Sequence, residues 1–207
     1  TFYGGIYRPV NLIITNKQHF DLDFYGAPGV AVTPKVEGSN ANVTVDAYVT
    51  NHDGALLVAT VLNQEGETVL IKTSENLTFA FVFENVHLWD AVEDPYLYTL
   101  KLDLVKDEVV LDNKEVRFGA RSFYVTPEGG FFLNGRSYPL RGVSRHQDRK
   151  DLGWALSEKE HREDIELIKE VGANTIRLAH YQHSQYFYDL CDEYGMVIWA
   201  EIPFISS

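Results

Sequence analysis

The chain has one cysteine, one methionine, no run of basic residues and no long apolar run. The lone Cys191 excludes an intramolecular disulfide and fits a reducing, cytoplasmic compartment. Eighteen Lys+Arg stand against thirty Asp+Glu, a formal net charge of −12, so nucleic acid and anionic membranes are poor partners. No stretch approaches the roughly 18 apolar residues of a spanning helix. Thr1-Phe2-Tyr3-Gly4-Gly5 has neither the charged nor the apolar region of a signal peptide. It also lacks an initiator methionine, so the chain reads as beginning inside a longer protein. What is present supports folding: 207 residues, 45% hydrophobic and 13% aromatic, enough for one or two domains with a sizeable core.

Three regions differ in pattern. In residues 1–25, Val10, Leu12 and Ile14 alternate with Asn11 and Ile13, which predicts one strand of a sheet whose remainder lies upstream of Thr1. Gly26-Ala27-Pro28-Gly29 reads as a hinge. Residues 26–122 are all-β in pattern. Val43, Val45, Ala47 and Val49 alternate with polar positions, and so do Leu57, Ala59 and Val61. Leu77, Phe79, Phe81 and Phe83 repeat this, as do Leu100, Leu102 and Leu104. About seven short strands with frequent turns predict a sandwich of immunoglobulin type, although its tryptophan, Trp89, has no disulfide to pack on. Nothing in it suggests chemistry, so it reads as a spacer.

In residues 123–207 the period changes. Asn134-Gly135 is a strong hairpin signal. Leu140 to His146, Thr175 to Tyr181 and Met196 to Glu201 read as strands, the last an apolar run expected to be buried on both faces. Between them lie two helices. Ser157 and Glu160 form a capping box for the first, with Ile165, Ile168 and Val171 as its apolar stripe and Gly172 as its stop. Ser184 caps the second, Phe187, Leu190, Cys191 and Tyr194 face inward, and Gly195 ends it. Cys191 is therefore expected to be a buried, inert thiol. The order is βαβαβ, with connections long enough for parallel crossovers.

The C-terminal ends of parallel strands are where such architectures place their chemistry. His146, Asp148, His180 and Glu201 fall there. Imidazoles at two neighbouring strand ends can donate to sugar hydroxyls. Asp148 follows His146 by two, so both share a side if the strand continues, and a carboxylate there can bridge two hydroxyls. Arg177 sits mid-strand among Ile176, Leu178 and Ala179, where an unpaired guanidinium is expensive. It either pairs with Glu201 on the next strand or orients a catalytic carboxylate. Glu201 is a candidate acid or base, but the usual glycosidase pair of carboxylates is missing beside it, which favours pairing with Arg177. His180 and His183 have helical metal spacing but lie at a strand-to-loop junction, so no metal is expected there.

Long motifs in order carry a family resemblance. Arg141-Gly142-Val143-Ser144-Arg145-His146-Gln147-Asp148, Asn174-Thr175-Ile176-Arg177-Leu178-Ala179-His180-Tyr181 and Phe187-Tyr188-Asp189-Leu190-Cys191-Asp192-Glu193-Tyr194-Gly195 resemble glycoside hydrolase family 2, with its β-galactosidase branch as the nearest likeness. Gly4-Gly5-Ile6-Tyr7-Arg8 is similar to the end of that family's jelly-roll sugar-binding domain. Leu88-Trp89, Pro95-Tyr96-Leu97-Tyr98 and Phe118-Gly119-Ala120-Arg121 are similar to its immunoglobulin-like domain.

The resemblance implies an immunoglobulin-like sandwich followed by the first three strands of a TIM (β/α)8 barrel. It implies a segment of a retaining exo-β-glycosidase acting on terminal β-D-galactosides. His146 and His180 would match the histidines that contact the sugar and steady the transition state. Arg177 would match the arginine held against the nucleophile, and Asp148 and Glu201 would lie in the substrate-binding wall. The family's acid/base and nucleophile glutamates fall on barrel strands four and seven, beyond these residues, so the chain alone is expected to be inactive. Ser144 stands where the family commonly has Asn, and Gln182 where many members have Pro. Ile205 and Ser207 occupy the positions of magnesium ligands, so no cofactor is expected. A β-glucuronidase segment is the rival enzyme reading, and a non-catalytic carbohydrate-binding module the rival of another class. Expected partners are the β-galactoside, the remainder of the parent polypeptide and further copies in a homo-oligomer, because three barrel strands leave an open sheet edge.

Overall fold

The computed structural model describes residues 5–203, and they divide into two compact units. One unit, residues 13–89 and 96–122, is β throughout. Its strands, with two neighbouring short ones, are β1 (His19–Phe20), β2 (Val30–Glu37), β3 (Asn40–Ala47), β4 (Val49–Thr50), β5 (Leu56–Leu62), β6 (Thr68–Ser74), β7 (Thr78–Phe83), β8 (Trp89–Asp90), β9 (Asp94–Pro95), β10 (Tyr98–Lys106) and β11 (Val109–Phe118). Strands β2-β3-β7 form one antiparallel sheet and β11-β10-β5-β6 the other. Successive side chains of a strand point to opposite faces. Ala41, Val43 and Val45 therefore enter one shared core with Phe79 and Phe81 from their own sheet, and with Leu57, Leu100, Leu102 and Leu104 from the other. This is the seven-stranded immunoglobulin-like sandwich that the alternation predicts.

Trp89 is buried without a disulfide, and the Arg121 guanidinium lies 4.7 Å from its ring centroid. Gly119 permits this packing, since a Cβ there would come within 2.7 Å of the Trp89 Cβ.

The opening segment departs from expectation. No strand forms between residues 5 and 18, and Val10, Leu12 and Ile14 are almost fully exposed. Alternation alone makes no strand, because the backbone groups need a neighbouring ladder. The first ladder is the short pairing of β1 with β4.

The other unit comprises, among the described residues, 5–12, 90–95 and 123–203. Strands β12 (Phe123–Thr126), β13 (Gly130–Leu133) and β14 (Arg136–Ser137) form an antiparallel sheet. Asn134 and Gly135 turn its last hairpin with φ of 50° and 80°, the left-handed pair that a type I′ turn requires. Then follow β15 (Gly142–Arg145), α1 (Glu158–Glu170), β16 (Thr175–Leu178), α2 (Gln185–Tyr194) and β17 (Val197–Ala200). The three strands are parallel, in the order β15-β16-β17.

The caps explain where the helices start and stop. The capping box of Ser157 and Glu160 is present: Glu160 reaches back to the Ser157 amide at 2.8 Å, and the Ser157 hydroxyl also donates to that carboxylate at 2.5 Å. Gly172 and Gly195 follow the helices at φ of 77° and 73°. Ile165, Ile176, Leu178, Phe187, Leu190, Cys191 and Met196 form the core between the helices and one sheet face. Burial among them raises the Cys191 thiol well above its ordinary pKa, which makes it a poor nucleophile at neutral pH.

Three expectations for this unit are corrected. Val171 is exposed, and the buried stripe of α1 is His161 and Ile165, so a polar side chain takes an inward place. Arg177 lies on the sheet face opposite the helices and its side chain is 44% exposed, not buried. The apolar β17 is an edge strand with Trp199 exposed, because only β16 pairs with it among the described residues.

Gly195 offers a direct test of the packing. Its φ is left-handed, and a Cβ there would overlap the Ala91 carbonyl. Gly195→Ala is expected to destabilise this unit by at least about 1–2 kcal/mol, from the left-handed backbone alone. Urea unfolding checks it, and an unchanged midpoint would contradict the close approach.

Candidate active site

Parallel register brings the C-terminal ends of β15, β16 and β17 side by side. His146 follows β15, His180 lies two residues beyond β16, and Glu201 follows β17. The Glu201 carboxylate is held at both oxygens. Oε1 accepts from Arg177 Nε at 2.6 Å. Oε2 accepts from the His180 amide at 2.6 Å and lies 3.2 Å from His180 Nδ1. The Arg177 hydrogen bond first, and the His180 amide second, hold the Glu201 carboxyl below the ordinary carboxylate range. An ionised carboxylate with both oxygens engaged is a positioning anion and a poor proton donor.

Two positions that depart from the resembled motifs join this group. Ser144 Oγ accepts from Arg177 Nη1 at 3.2 Å, as their register on adjacent strands allows. Gln182 Nε2 donates to the Glu201 carbonyl at 3.2 Å, and its Oε1 accepts from the Tyr188 hydroxyl. His180 itself has φ of 71°, a left-handed conformation that is uncommon away from glycine.

The His146 and His180 rings lie 5.2 Å apart between centroids, tilted by 59°. Because the Glu201 carboxylate only accepts, its contact with His180 Nδ1 places a proton there and leaves Nε2 for a ligand. Tyr181 stands 6.2 Å from His146, with Trp154 5.0 Å beyond it and Tyr7 5.5 Å beyond that, so an aromatic band flanks the histidines. The ladder of β15 stops at Arg145, short of His146. The in–out alternation nevertheless continues: Arg145 and Gln147 are buried while His146 and Asp148 are exposed. His146 and Asp148 are thus both exposed, each beside a buried neighbour.

Sequence reasoning missed what lies beneath. Arg145 is 5% exposed and donates to Asp164 at 2.6 and 3.0 Å, to His161 Nδ1 at 2.9 Å and to His183 Nδ1 at 3.0 Å. Asp164 also accepts from Arg149 at 2.6 Å. Burial first, and the Arg145 charge second, lower both His161 and His183 to a pKa of about 4, so both are neutral. The available signal was His161 and Asp164 spaced with Ile165 and Ile168 on one face of α1, polar residues where an apolar stripe was expected.

Among the described residues no cluster of His, Cys, Asp and Glu could hold a metal ion. The magnesium positions at Ile205 and Ser207 lie outside the described residues. Among the described residues no helix is long and apolar enough to cross a membrane.

The strand-end histidines, the Arg177–Glu201 pair and the sandwich before them coincide with known families. A family model described as "Glycosyl hydrolases family 2" matches residues 28–121, and one described as "Glycosyl hydrolases family 2, TIM barrel domain" matches residues 125–207. The chain belongs to glycosyl hydrolases family 2.

This family 2 chain is 39% identical to a β-glucuronidase of Bacteroides fragilis, over 99% of the chain and 31% of that protein. A solved FMN-binding β-glucuronidase from Facaelibacterium prausnitzii L2-6 is 45% identical with a TM-score of 0.89, over 93% of this chain and 30% of that one. A solved putative β-galactosidase from Bacteroides fragilis is 40% identical with a TM-score of 0.88, over 97% and 32%. The family 2 chain thus spans about a third of the length of these relatives. Residues 125–207 match the start of the family's TIM barrel domain, and Trp199 on β17 is exposed there.

Proposed function

We propose that the chain supplies one flank of the sugar subsite in a retaining exo-β-glycosidase. The observation that carries this is the group formed by His146, His180, Arg177 and Glu201 at the ends of three parallel strands. Ring nitrogens of His146 and His180 are suited to hydroxyls of the terminal sugar. Arg177, fixed between Ser144 and Glu201, offers its remaining N–H groups to a further carboxylate, the place of a nucleophile. Asp148, exposed two residues beyond His146, is suited to a vicinal pair of hydroxyls.

A terminal β-D-glucuronide is the sugar we favour, because similar proteins at 39% and 45% identity are β-glucuronidases. The β-D-galactoside reading stands beside it, supported by the 40% likeness to a putative β-galactosidase. A uronate needs a cationic clamp, and Arg177 is already engaged by Glu201. The clamp would therefore come from outside this wall.

Nitrophenyl β-D-glucuronide and nitrophenyl β-D-galactoside, offered to the full-length protein, separate the two. Glucuronide turnover well above galactoside turnover is expected, and the reverse ranking would favour the second sugar. The isolated 207-residue chain is expected to cleave neither. Turnover that survives purification would sink the view that the acid/base and nucleophile lie elsewhere.

A further inference from the structure

We propose that Arg145 and His183 are positioning residues that hold His180 in its left-handed conformation, and so aim both its amide and its ring at Glu201. The inference rests on the glycosidase reading for its kinetic consequence, but its structural part stands on the hydrogen bonds alone.

A guanidinium only donates, so His183 must accept from Arg145 at Nδ1 and carry its proton on Nε2. That Nε2 lies 3.4 Å from the Ala179 carbonyl, to which it donates. The Ala179 amide in turn donates to the Arg145 carbonyl at 3.0 Å. The residue immediately before His180 is therefore gripped at both its N–H and its C=O. Arg145 holds the first through its main-chain carbonyl and the second, which also accepts from the Tyr181 amide at 3.0 Å, through His183. Non-glycine residues persist at positive φ only where their surroundings over-determine them. This circuit is such a surrounding. At φ of 71° the His180 amide and Nδ1 both address one oxygen of Glu201.

The cluster does more than fill space. An apolar side chain at Arg145 would pack against Phe187, whose ring centroid is 3.8 Å from the guanidinium carbon, without any polar partner. Instead Arg145 ties together α1, through His161 and Asp164, and the loop before α2, through His183. Gln147 adds a parallel tie: its side-chain Oε1 accepts from the Ser184 amide at 2.6 Å and its backbone N–H donates to the Tyr181 hydroxyl at 3.0 Å. The turn carrying His146 and the turn carrying His180 are thus fixed from inside by alternate buried residues.

The test uses the full-length protein. In His183→Asn the side-chain oxygen can still accept from Arg145, but the shorter side chain cannot reach the Ala179 carbonyl. In His183→Gln the longer amide can donate to it. We expect His183→Asn to lower kcat by about 10²-fold, the loss that a misplacement of roughly 1 Å produces, with KM within about threefold. His183→Gln should recover most of that loss, with thermal midpoints similar in the two variants. Equal kcat in the two variants, or a loss carried by KM alone, would overturn the proposal. If His183→Asn does not fold, Arg145→Lys, which can reach only some of the partners, is measured the same way. A wild-type protein with no turnover of either nitrophenyl glycoside defeats the glycosidase reading, not this one. In that case a crystal structure of His183→Asn decides: His180 should leave positive φ and lose a Glu201 contact, and its retention of both would refute the circuit.

Discussion

Arg177→Lys in the full-length protein is expected to lower kcat/KM on its nitrophenyl substrate by about 10²-fold, through misplacement of the groups that Arg177 orients. The reason is geometric. Arg177 spends Nε on Glu201 and Nη1 on Ser144, which fixes the plane of the fork. A lysine ammonium keeps the charge but has no plane, so it cannot hold Glu201 and present a second pair of donors in a set direction. Little stability should be lost, because the site is half exposed and its charge is retained. Steady-state kinetics beside a thermal melt check both halves. Wild-type kcat/KM in the Lys variant would remove Arg177 from the functional wall. The pairing also has a pH consequence. The Glu201 carboxyl is depressed in the folded state, so its contribution is present above the ordinary carboxylate range and is lost as pH falls through the folded value.

Asp164→Leu is expected to destabilise the protein by about 3–5 kcal/mol, the usual result of stripping one partner from a buried ion pair. Asp164 contacts both the buried Arg145 and the partly exposed Arg149. Removing it leaves Arg145 with two neutral histidines and no counter-charge. The double variant Arg145→Met/Asp164→Leu should regain much of the loss, since an apolar pair leaves no orphaned charge. Urea unfolding of the two variants gives the comparison, and a double variant less stable than the single would contradict it.

The same cluster sets an acid limit. Around His161 stand Arg145, Arg149, Asp164 and Glu160, and around His183 stand Arg145, His146 and His161. Both rings fall from the ordinary 6.5 to about 4, with burial the larger cause and the Arg145 charge the next. Between those values the unfolded chain binds protons that the folded one refuses, so stability falls as pH drops from about 6.5 toward 4. Replacing both histidines by Gln should flatten that slope.

Much of the fold was legible because its signals are local. Alternation at Val43 to Ala47 and at Leu100 to Leu104 has period two, and each alternating residue is read from its immediate neighbours. Asn134-Gly135 names its own turn, and Ser157 with Glu160 names its own helix start. The segment around Val10 to Ile14 shows the limit of such reading, because a strand is a relation to another strand and no pattern supplies the partner.

The site divides in the same way. Strand-end position placed His146, His180 and Glu201 together, since parallel strands in register bring equivalent ends side by side, and the cost of an unpaired guanidinium joined Arg177 to Glu201. Nothing local gave the left-handed backbone of His180, or the closeness of Arg145 to His161, Asp164 and His183, which come from two other segments of the chain. By itself the sequence determined the order of elements, the sandwich, the βαβαβ unit and which residues stand at its polar rim. Tertiary structure alone decided which charges pair, which histidines are neutral and how His180 is aimed. Local patterns encode the direction in which a side chain points. Its partner depends on contacts between residues distant in the chain, and these exist only once the core has closed.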